Sequence, residues 1–149
     1  MHRINLQDRA TPRDGTISFY WFENESIGLK RTRFHRIQVG FDPLDTGCDY
    51  IKQPEVPQLT VEWIELDIDD PGLLAGVDIF STHHRTMEAS IYIGAAHNPI
   101  DVSSMHLKEV AVDRYEVEAS LRIDFEFEGV ADSEDFNFTF AAQYIGESQ

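Results

Sequence analysis

The sequence predicts an all-β, mainly antiparallel protein: a single-domain sandwich or barrel of about seven to nine strands, with at most one or two short helical turns. Three observations predict this fold class. Apolar and polar residues alternate with a period of two in several segments, as they do in half-buried strands. Clusters of Pro, Gly, Asp and Asn separate these segments. The chain has 149 residues, the length of one domain, so we expect residues 1–149 to form a single β domain.

The strongest alternation lies in residues 115–128, YEVEASLRIDFEFE, where every second residue is apolar. This segment is longer than a usual strand, so we predict one strand with a bend or twist in it. Residues 129–135 are small, polar and acidic and predict a loop, after which residues 136–144 alternate again. Residues 105–112 precede a plausible tight turn at Asp113-Arg114. The C-terminal third is therefore predicted to be a three-strand antiparallel meander.

Further strands are predicted in the first two thirds of the chain, at residues 16–22, 29–41, 58–69 and 85–94. The apolar positions of residues 58–69 change phase midway, which predicts a β-bulge near Trp63-Ile64. Residues 29–41 change phase between Phe34 and Ile37, which predicts a bent strand or two short ones.

Few segments have a helical pattern. Residues 71–76 and 103–109 are the candidates for single helical turns. The first 14 residues are polar, and we expect them either to lie loose or to clip onto a sheet edge.

The charge of the chain is strongly negative and unevenly distributed. Lys and Arg number 12 and Asp and Glu number 27, so the net charge is −15. Residues 1–40 hold seven basic and four acidic residues (+3), whereas residues 41–149 hold five basic and 23 acidic ones (−18). Because phosphate contacts need Lys and Arg, this balance argues against nucleic acid as a partner.

A basic run, KRTRFHR, occupies residues 30–36. It is interpreted in three ways: as a charged edge strand that discourages aggregation, as a local nucleic-acid site, or as a surface that meets the acidic face of another copy. The third interpretation, with the aromatic-rich strands, gives the hypothesis of a self-associating structural subunit, a homo-oligomer.

The compartment is inferred from cysteine usage and from the N-terminus. Cys48 is the single cysteine, which fits a reducing cytoplasm because no disulfide can form within the chain. The first residues have no apolar core of a secretory signal, and no apolar run approaches the roughly 18 residues of a membrane span. We therefore expect a soluble, cytoplasmic protein with no membrane partner.

A row of acidic residues lies on the polar face of the predicted strand 115–128. Its members are Glu116, Glu118, Asp124, Glu126 and Glu128, with Arg122 as the opposing cation. Like charges along one strand face cost stability unless a neighbour or partner neutralises them. The row is therefore either a solvated face that keeps the protein soluble, or a surface that captures a basic protein with the help of long-range attraction.

The main functional hypothesis is a non-enzymatic binding protein that uses this acidic face to bind a basic protein partner. Small, acidic, cysteine-poor, single-domain proteins of this kind resemble, as a class, the immunity proteins that neutralise bacterial toxins. The resemblance implies an inhibitor that covers a cationic surface of its target.

A second hypothesis comes from residues 76–94, GVDIFSTHHRTMEASIYIG, which place His83, His84 and Glu88 between two glycines. The segment loosely resembles the first metal-binding motif of the cupins, a β-barrel family in which an HxH pair and a following Glu bind a divalent metal. The resemblance implies a barrel that binds a metal or small ligand, with His97 as a further ligand. The motif differs here because the histidines are adjacent, which places them on opposite faces of a regular strand. No other cofactor is predicted.

Motifs for nucleophilic catalysis are absent from the sequence, which contains no G-x-S-x-G, P-loop or G-x-G-x-x-G pattern. Cys48 lies between Asp45 and Asp49, whose negative charge opposes formation of a reactive thiolate. Two acidic clusters, at residues 67–70 and 132–135, are interpreted as solvated loop charge. The sequence therefore favours a protein without catalytic activity.

Overall fold

The alternating segments of the sequence form the strands of a closed barrel in the computed structural model, which describes residues 2–148. The strands are β1 (Gly15–Asn24), β2 (Leu29–Gly40), β3 (Gln58–Ile64), β4 (Asp78–Ile79), β5 (Glu88–Ile93), β6 (Ala96–Ala111), β7 (Arg114–Ile123) and β8 (Glu134–Glu147). Helical structure in this range is limited to one α-helical turn, α1 (Leu6–Arg9), and a 3-10 turn at Glu25–Ile27. The all-β prediction is confirmed, and of the two predicted architectures the chain adopts the barrel. None of the helices in this range has the length and apolar character that crossing a membrane requires.

The barrel is built from seven strands in the order β1, β2, β3, β5, β6, β7 and β8, each antiparallel to the next. It closes where β8 pairs with β1 in parallel: Gly15 lies opposite Ala142, and Phe19 lies opposite Glu147. The short β4 lies outside this ring and pairs with β6. The predicted meander of β6, β7 and β8 is confirmed.

The hydrophobic core follows from the alternation along each strand, since successive side chains point to opposite faces of the sheet. On β7 the buried side chains are Tyr115, Val117, Ala119, Leu121 and Ile123. Phe136, Phe140 and Ala142 of β8 are buried in the same core. Each fully buried aliphatic side chain stabilises the fold by about 1.5–3 kcal/mol, so the alternating strands supply the main driving force for closure.

The predicted β-bulge is confirmed at Trp63. His35 of β2 pairs with Ile64 and Ile37 pairs with Val61, so β3 has two residues where β2 has one. Trp63 adopts a φ of 57°, in the left-handed region that bulky residues rarely enter. The phase change between Phe34 and Ile37 has another cause: β2 is one continuous strand, and Phe34 lies on the opposite face from Ile37, where the ring of Trp63 packs against it at 5.3 Å and buries it.

Three predicted boundaries are wrong. β7 ends at Ile123 rather than at residue 128, because Asp124 accepts a hydrogen bond from the backbone N–H of Phe127 and starts a turn. β3 ends at Ile64 rather than at residue 69. The tight turn after β6 lies at Val112-Asp113, one residue earlier than predicted, and Asp113 has a φ of 58°.

The two predicted helical turns are also wrong. Residues 103–109 belong to β6, because the backbone of β7 pairs with this segment along its length. Residues 71–76 form turns without an α-helix.

The polar N-terminal segment lies against the end of the barrel where β1 and β8 begin. Ile4 and Leu6 are fully buried in the core. The buried carboxylate of Glu134 accepts hydrogen bonds from the backbone N–H groups of Asn5 (3.0 Å) and Leu6 (2.6 Å). One side chain of β8 therefore fixes the start of α1 to the sheet.

Replacing Glu134 by Ala is expected to lower the free energy of unfolding by about 3 kcal/mol, because the buried N–H of Leu6 and the partly buried N–H of Asn5 lose a charged acceptor. The matched control is Asp135→Ala, which removes only the exposed ion pair with Arg122 and should cost about 0–1 kcal/mol. Urea denaturation of both variants measures the difference, and equal effects would show that Glu134 does not anchor the segment.

Candidate functional site

The connections between strands group at two ends of the barrel, since neighbouring strands mostly run in opposite directions. The turns β1–β2 and β6–β7 and the long connection 65–87 lie at one end. The connections β2–β3, β5–β6 and β7–β8 lie at the other. The β7–β8 connection, residues 124–133, is called the acidic loop below. The part of the β1–β2 hairpin formed by residues 20–24 and 29–34 is called the ribbon.

The acidic loop is anchored at both sides and exposed in the middle. Phe125, Val130 and Ala131 are buried, whereas Phe127 at the tip is 71% exposed. The turn is closed by backbone hydrogen bonds from Gly129 N–H to Glu126 C=O (3.0 Å) and from Val130 N–H to Phe125 C=O (2.9 Å). A large aromatic ring is therefore held in solvent by a well-anchored turn.

Side chains of the acidic loop also bond to one another. Asp124 Oδ1 accepts from Phe127 N–H (3.1 Å) and from the Ser133 hydroxyl (3.2 Å). Glu126 Oε2 accepts from Ser133 N–H (3.4 Å). Glu128 and Asp132 are exposed beside the tip. These hydrogen bonds hold the turn that carries Phe127 and the carboxylates of Asp124 and Glu126 in one defined conformation.

The structure divides the predicted acidic row into two groups, so the prediction of one continuous strand face is wrong. Glu116 and Glu118 lie on β7, where Lys108 and His106 of β6 lie opposite them. The other three members, Asp124, Glu126 and Glu128, lie in the acidic loop because β7 ends at Ile123. The sheet group therefore lies opposite a lysine and a histidine, and the loop group lies in the same turn as the exposed ring of Phe127.

The spacing of the acidic residues from Asp124 to Asp135 is D-x-E-x-E-G-x5-D, which is close to that of an EF-hand calcium loop. Sequence reasoning missed this spacing. The carboxylates do not converge, since among residues 2–148 no three His, Cys, Asp or Glu side chains form a group that could hold a metal ion.

The predicted metal ligands are not brought together either. His83 and His84 lie in turns after β4, with their rings 4.9 Å apart and nearly perpendicular. Glu88 begins β5, while His97 lies near the opposite end of that strand pair and packs its ring 4.8 Å from Tyr92. The comparison with a cupin motif fails here because residues 81–87 form turns rather than a strand.

The basic run lies on β2, and each of its three arginines contacts another group. Arg33 donates to the backbone carbonyls of Ile68 and Asp69. Arg36 donates to Glu62 (2.6 Å), and Arg31 lies over the ring of Trp21 at 5.0 Å. From His35 onward β2 is covered by β3, so the edge-strand interpretation fits only residues 29–34.

An aromatic cluster covers the outer face of the ribbon. The ring of Trp63 packs edge-on against Tyr20 (5.5 Å), Phe22 (4.9 Å) and Phe34 (5.3 Å). The hydroxyl of Tyr20 donates to Glu62 (2.9 Å). Burial, with the adjacent carboxylate adding to it, raises the pKa of Tyr20 to about 12. This tyrosine therefore stays protonated and acts as a hydrogen-bond donor.

The exposed aromatic residues Trp21, Phe22 and Phe127 were not predicted as site residues. The run FYWF at residues 19–22 breaks the alternation and so indicates a strand with two apolar faces. Phe127 continues the alternation of β7 in the sequence, and only Gly129 signals that the chain turns there.

Comparison of the chain with known protein families, with curated protein sequences and with solved structures finds no match. The function is therefore inferred from the geometry of the chain itself.

His35 is a buried titratable group below the ribbon. Its Nε2 lies 2.9 Å from the Pro71 carbonyl, and its ring packs 6.0 Å from that of Phe19. Its Nδ1 is buried without a hydrogen-bond partner among the described residues. Burial lowers the pKa of His35 below its usual 6.5, with a smaller contribution in the same direction from Arg33.

Stability is expected to fall as the pH drops below 6.5, because the unfolded chain then binds a proton that folded His35 resists. Above pH 6.5 His35 is neutral in the folded and in the unfolded chain, so its contribution to the free energy of unfolding does not change with pH. Denaturation curves at pH 7.5 and 5 should show a larger loss for the wild type than for His35→Gln, which keeps a donor for Pro71. If the wild type and His35→Gln lose the same amount of stability between pH 7.5 and 5, His35 is not the group responsible for the pH dependence.

Proposed function

We propose that this protein is a non-enzymatic binding module that captures a basic protein through its acidic loop. The observation that carries the proposal is Phe127, a large apolar side chain 71% exposed at the tip of a turn rich in carboxylates. The same loop carries exposed acidic residues at positions 124, 126, 128 and 132.

The physical chemistry of interfaces supports this arrangement. Aromatic residues dominate binding energy at protein interfaces when they enter a pocket on the partner. Charges at the rim add little affinity but speed association with an oppositely charged surface. The acidic loop is held by its own hydrogen bonds, so little conformational entropy is lost on binding. The net charge of −15 attracts cationic partners over a longer range.

The finer form of the proposal is an inhibitor of the immunity type that acts in the cytoplasm. A nuclease-type toxin holds its substrate with a cationic surface, since phosphate contacts need Lys and Arg. The acidic loop would compete for that surface, and Phe127 would anchor the complex. The competing interpretation is that the carboxylates are only solvated and keep the protein soluble.

Charge reversal at two positions distinguishes a local site from net charge. Glu128→Lys/Asp132→Lys and Glu116→Lys/Glu118→Lys change the net charge equally, but only the first pair lies in the acidic loop. We expect the loop variant to weaken binding to monomeric basic proteins of pI above about 9 at least ten-fold, and the sheet variant to weaken it much less. Titration calorimetry at two salt concentrations measures both. If both variants lose the same affinity, binding depends on net charge alone, and this result would overturn the proposal.

Removing the ring of Phe127 tests the anchor separately. Phe127→Ala leaves all charges in place and should cost about 1–2 kcal/mol of binding free energy to a cognate basic protein. Binding of polylysine serves as the charge-only control and should stay unchanged. If no basic protein binds more tightly than polylysine, or if Phe127→Ala has no effect on one that does, the acidic loop is not a specific site.

A further inference from the structure

The acidic loop is too small to form a specific interface by itself. Protein–protein interfaces of standard size bury about 800 Å² and roughly 20–30 residues on each partner. The acidic loop spans residues 124–133, and three of these, Phe125, Val130 and Ala131, are buried. A partner that covers Phe127 must therefore also contact segments that lie next to the loop.

The connection between β2 and β3, residues 41–57, meets the acidic loop at the β5–β6 turn. The hydroxyl of Tyr50 donates to the carbonyl of Gly94 in this turn (3.0 Å). A Cβ atom built at Gly94 would lie 2.6 Å from the Tyr50 hydroxyl oxygen and 2.9 Å from Cγ1 of Val130, so both side chains pack on the same glycine. Val130 follows Phe127 by three residues, which span at most about 11 Å of chain. Tyr50 is therefore held close to the tip of the acidic loop.

The N-terminal segment also joins these two loops. The N–H of Asp132 in the acidic loop donates to the His2 carbonyl (2.9 Å). Nε2 of His2 lies 2.9 Å from the carbonyl of Thr46 in the β2–β3 connection, and because a carbonyl only accepts, Nε2 is the donor. The two loops are thus fixed to each other at two places, once through Gly94 and once through His2. Their exposed residues form one continuous surface.

Tyr50 is a second aromatic residue exposed on this surface. It is 61% exposed, although its hydroxyl is bound to Gly94 and the neighbouring Cys48 is buried. Burial of the hydroxyl, with smaller contributions from Cys48 and Glu55, raises the pKa of Tyr50, so the hydroxyl stays protonated and continues to donate. The ring is therefore fixed at its hydroxyl as well as through the backbone. Little conformational entropy is lost when a partner covers a side chain that is already fixed.

The charge of the β2–β3 connection has the same sign as that of the acidic loop. Residues 41–57 contain four acidic residues and one basic residue, Lys52. The arginines of the N-terminal segment reach this connection at Asp42, which pairs with Arg13, and at the backbone carbonyl of Asp45. Asp49, directly before Tyr50, is exposed. A cationic surface that is attracted by the acidic loop therefore meets negative charge at Tyr50 as well.

We propose that Tyr50 is a second anchor for the basic protein that the acidic loop captures, an inference that rests on the proposed function. The partner then covers the junction of the two loops and takes up the rings of Phe127 and Tyr50 together. Tyrosine is one of the residues that most often dominate binding energy at interfaces. Two fixed rings flanked by carboxylates fit a folded partner whose cationic surface has two apolar pockets. A flexible polycation offers no such pockets.

Titration calorimetry tests the second anchor with one probe, the protein of pI above about 9 that the wild type binds most tightly in a panel of monomeric basic proteins. Tyr50→Ala is expected to weaken binding of this probe about ten-fold, because the ring is lost. Tyr50→Phe keeps the ring without the bond to Gly94 and should weaken binding less than about two-fold. The matched control, Trp21→Ala, removes a 43% exposed aromatic ring at the opposite end and should leave the affinity unchanged.

The double variant Tyr50→Ala/Phe127→Ala distinguishes an anchor from a residue that only positions the acidic loop. If both rings contact the partner independently, the fold-loss of the double variant is the product of the two single losses. If Tyr50 acts only by holding Phe127 in place, Tyr50→Ala causes no further loss once the ring of Phe127 is absent. We expect the product.

The failure of this inference and the failure of the proposed function give different results. Weaker binding by Phe127→Ala but not by Tyr50→Ala overturns the second anchor and leaves the acidic loop as the site. A Tyr50→Phe variant that binds as weakly as Tyr50→Ala also overturns it, because the bond to Gly94 rather than the ring is then responsible. A panel in which no protein binds more tightly than polylysine overturns both.

Discussion

The parallel pairing of β8 with β1 is the interaction on which the rest of the structure depends. It joins the first and the last strand of the described chain and converts an open meander into a barrel. It also determines where the barrel stops, because β8 leaves β1 after Phe19 and the hairpin continues alone. An isolated two-stranded ribbon is marginal in water. The aromatic cluster around Trp63 provides the packing that this ribbon lacks on its outer face.

The fold separates acidic residues that are balanced locally from those that are not. On the sheet, carboxylates of β7 lie opposite cationic or titratable side chains of β6. Charged cross-strand pairs of this kind stabilise a sheet, and like charges in the same positions would destabilise it. In the acidic loop the carboxylates are held by a serine and by backbone N–H groups, which fix their positions without neutralising their charge. The exposed carboxylates of the acidic loop are therefore held by hydrogen bonds within the loop, and Arg122 of β7 borders the same surface as Asp124 and Glu126.

Much of the barrel could be predicted because burial with a period of two is a local property of each strand. The same local signal, a phase change between Val61 and Ile64, located the bulge at Trp63. The end of β7 could not be predicted in this way, because the alternation continues through Phe127 while hydrogen bonds from Asp124 to Phe127 and to Ser133 impose a turn. The arrangement of the acidic loop depends on these side-chain contacts, and the separation of His83 from His97 depends on how the strands pair. No sequence pattern reports which residues the closing of a barrel brings together.

The large sequence separation between β1 and β8 has a consequence for how the protein acquires its structure. β1 and β8 are neighbours in the barrel but are separated by almost the whole described sequence, so their contact has a very high contact order. A ribosome completes β1 well before β8, and until β8 is made the entire edge of β1 lacks the neighbour that it has in the barrel. Partly made chains therefore expose an aromatic strand edge that can pair with other chains. Nascent copies on one messenger RNA are held close together, which makes this early period the one in which misassembly competes most strongly with folding.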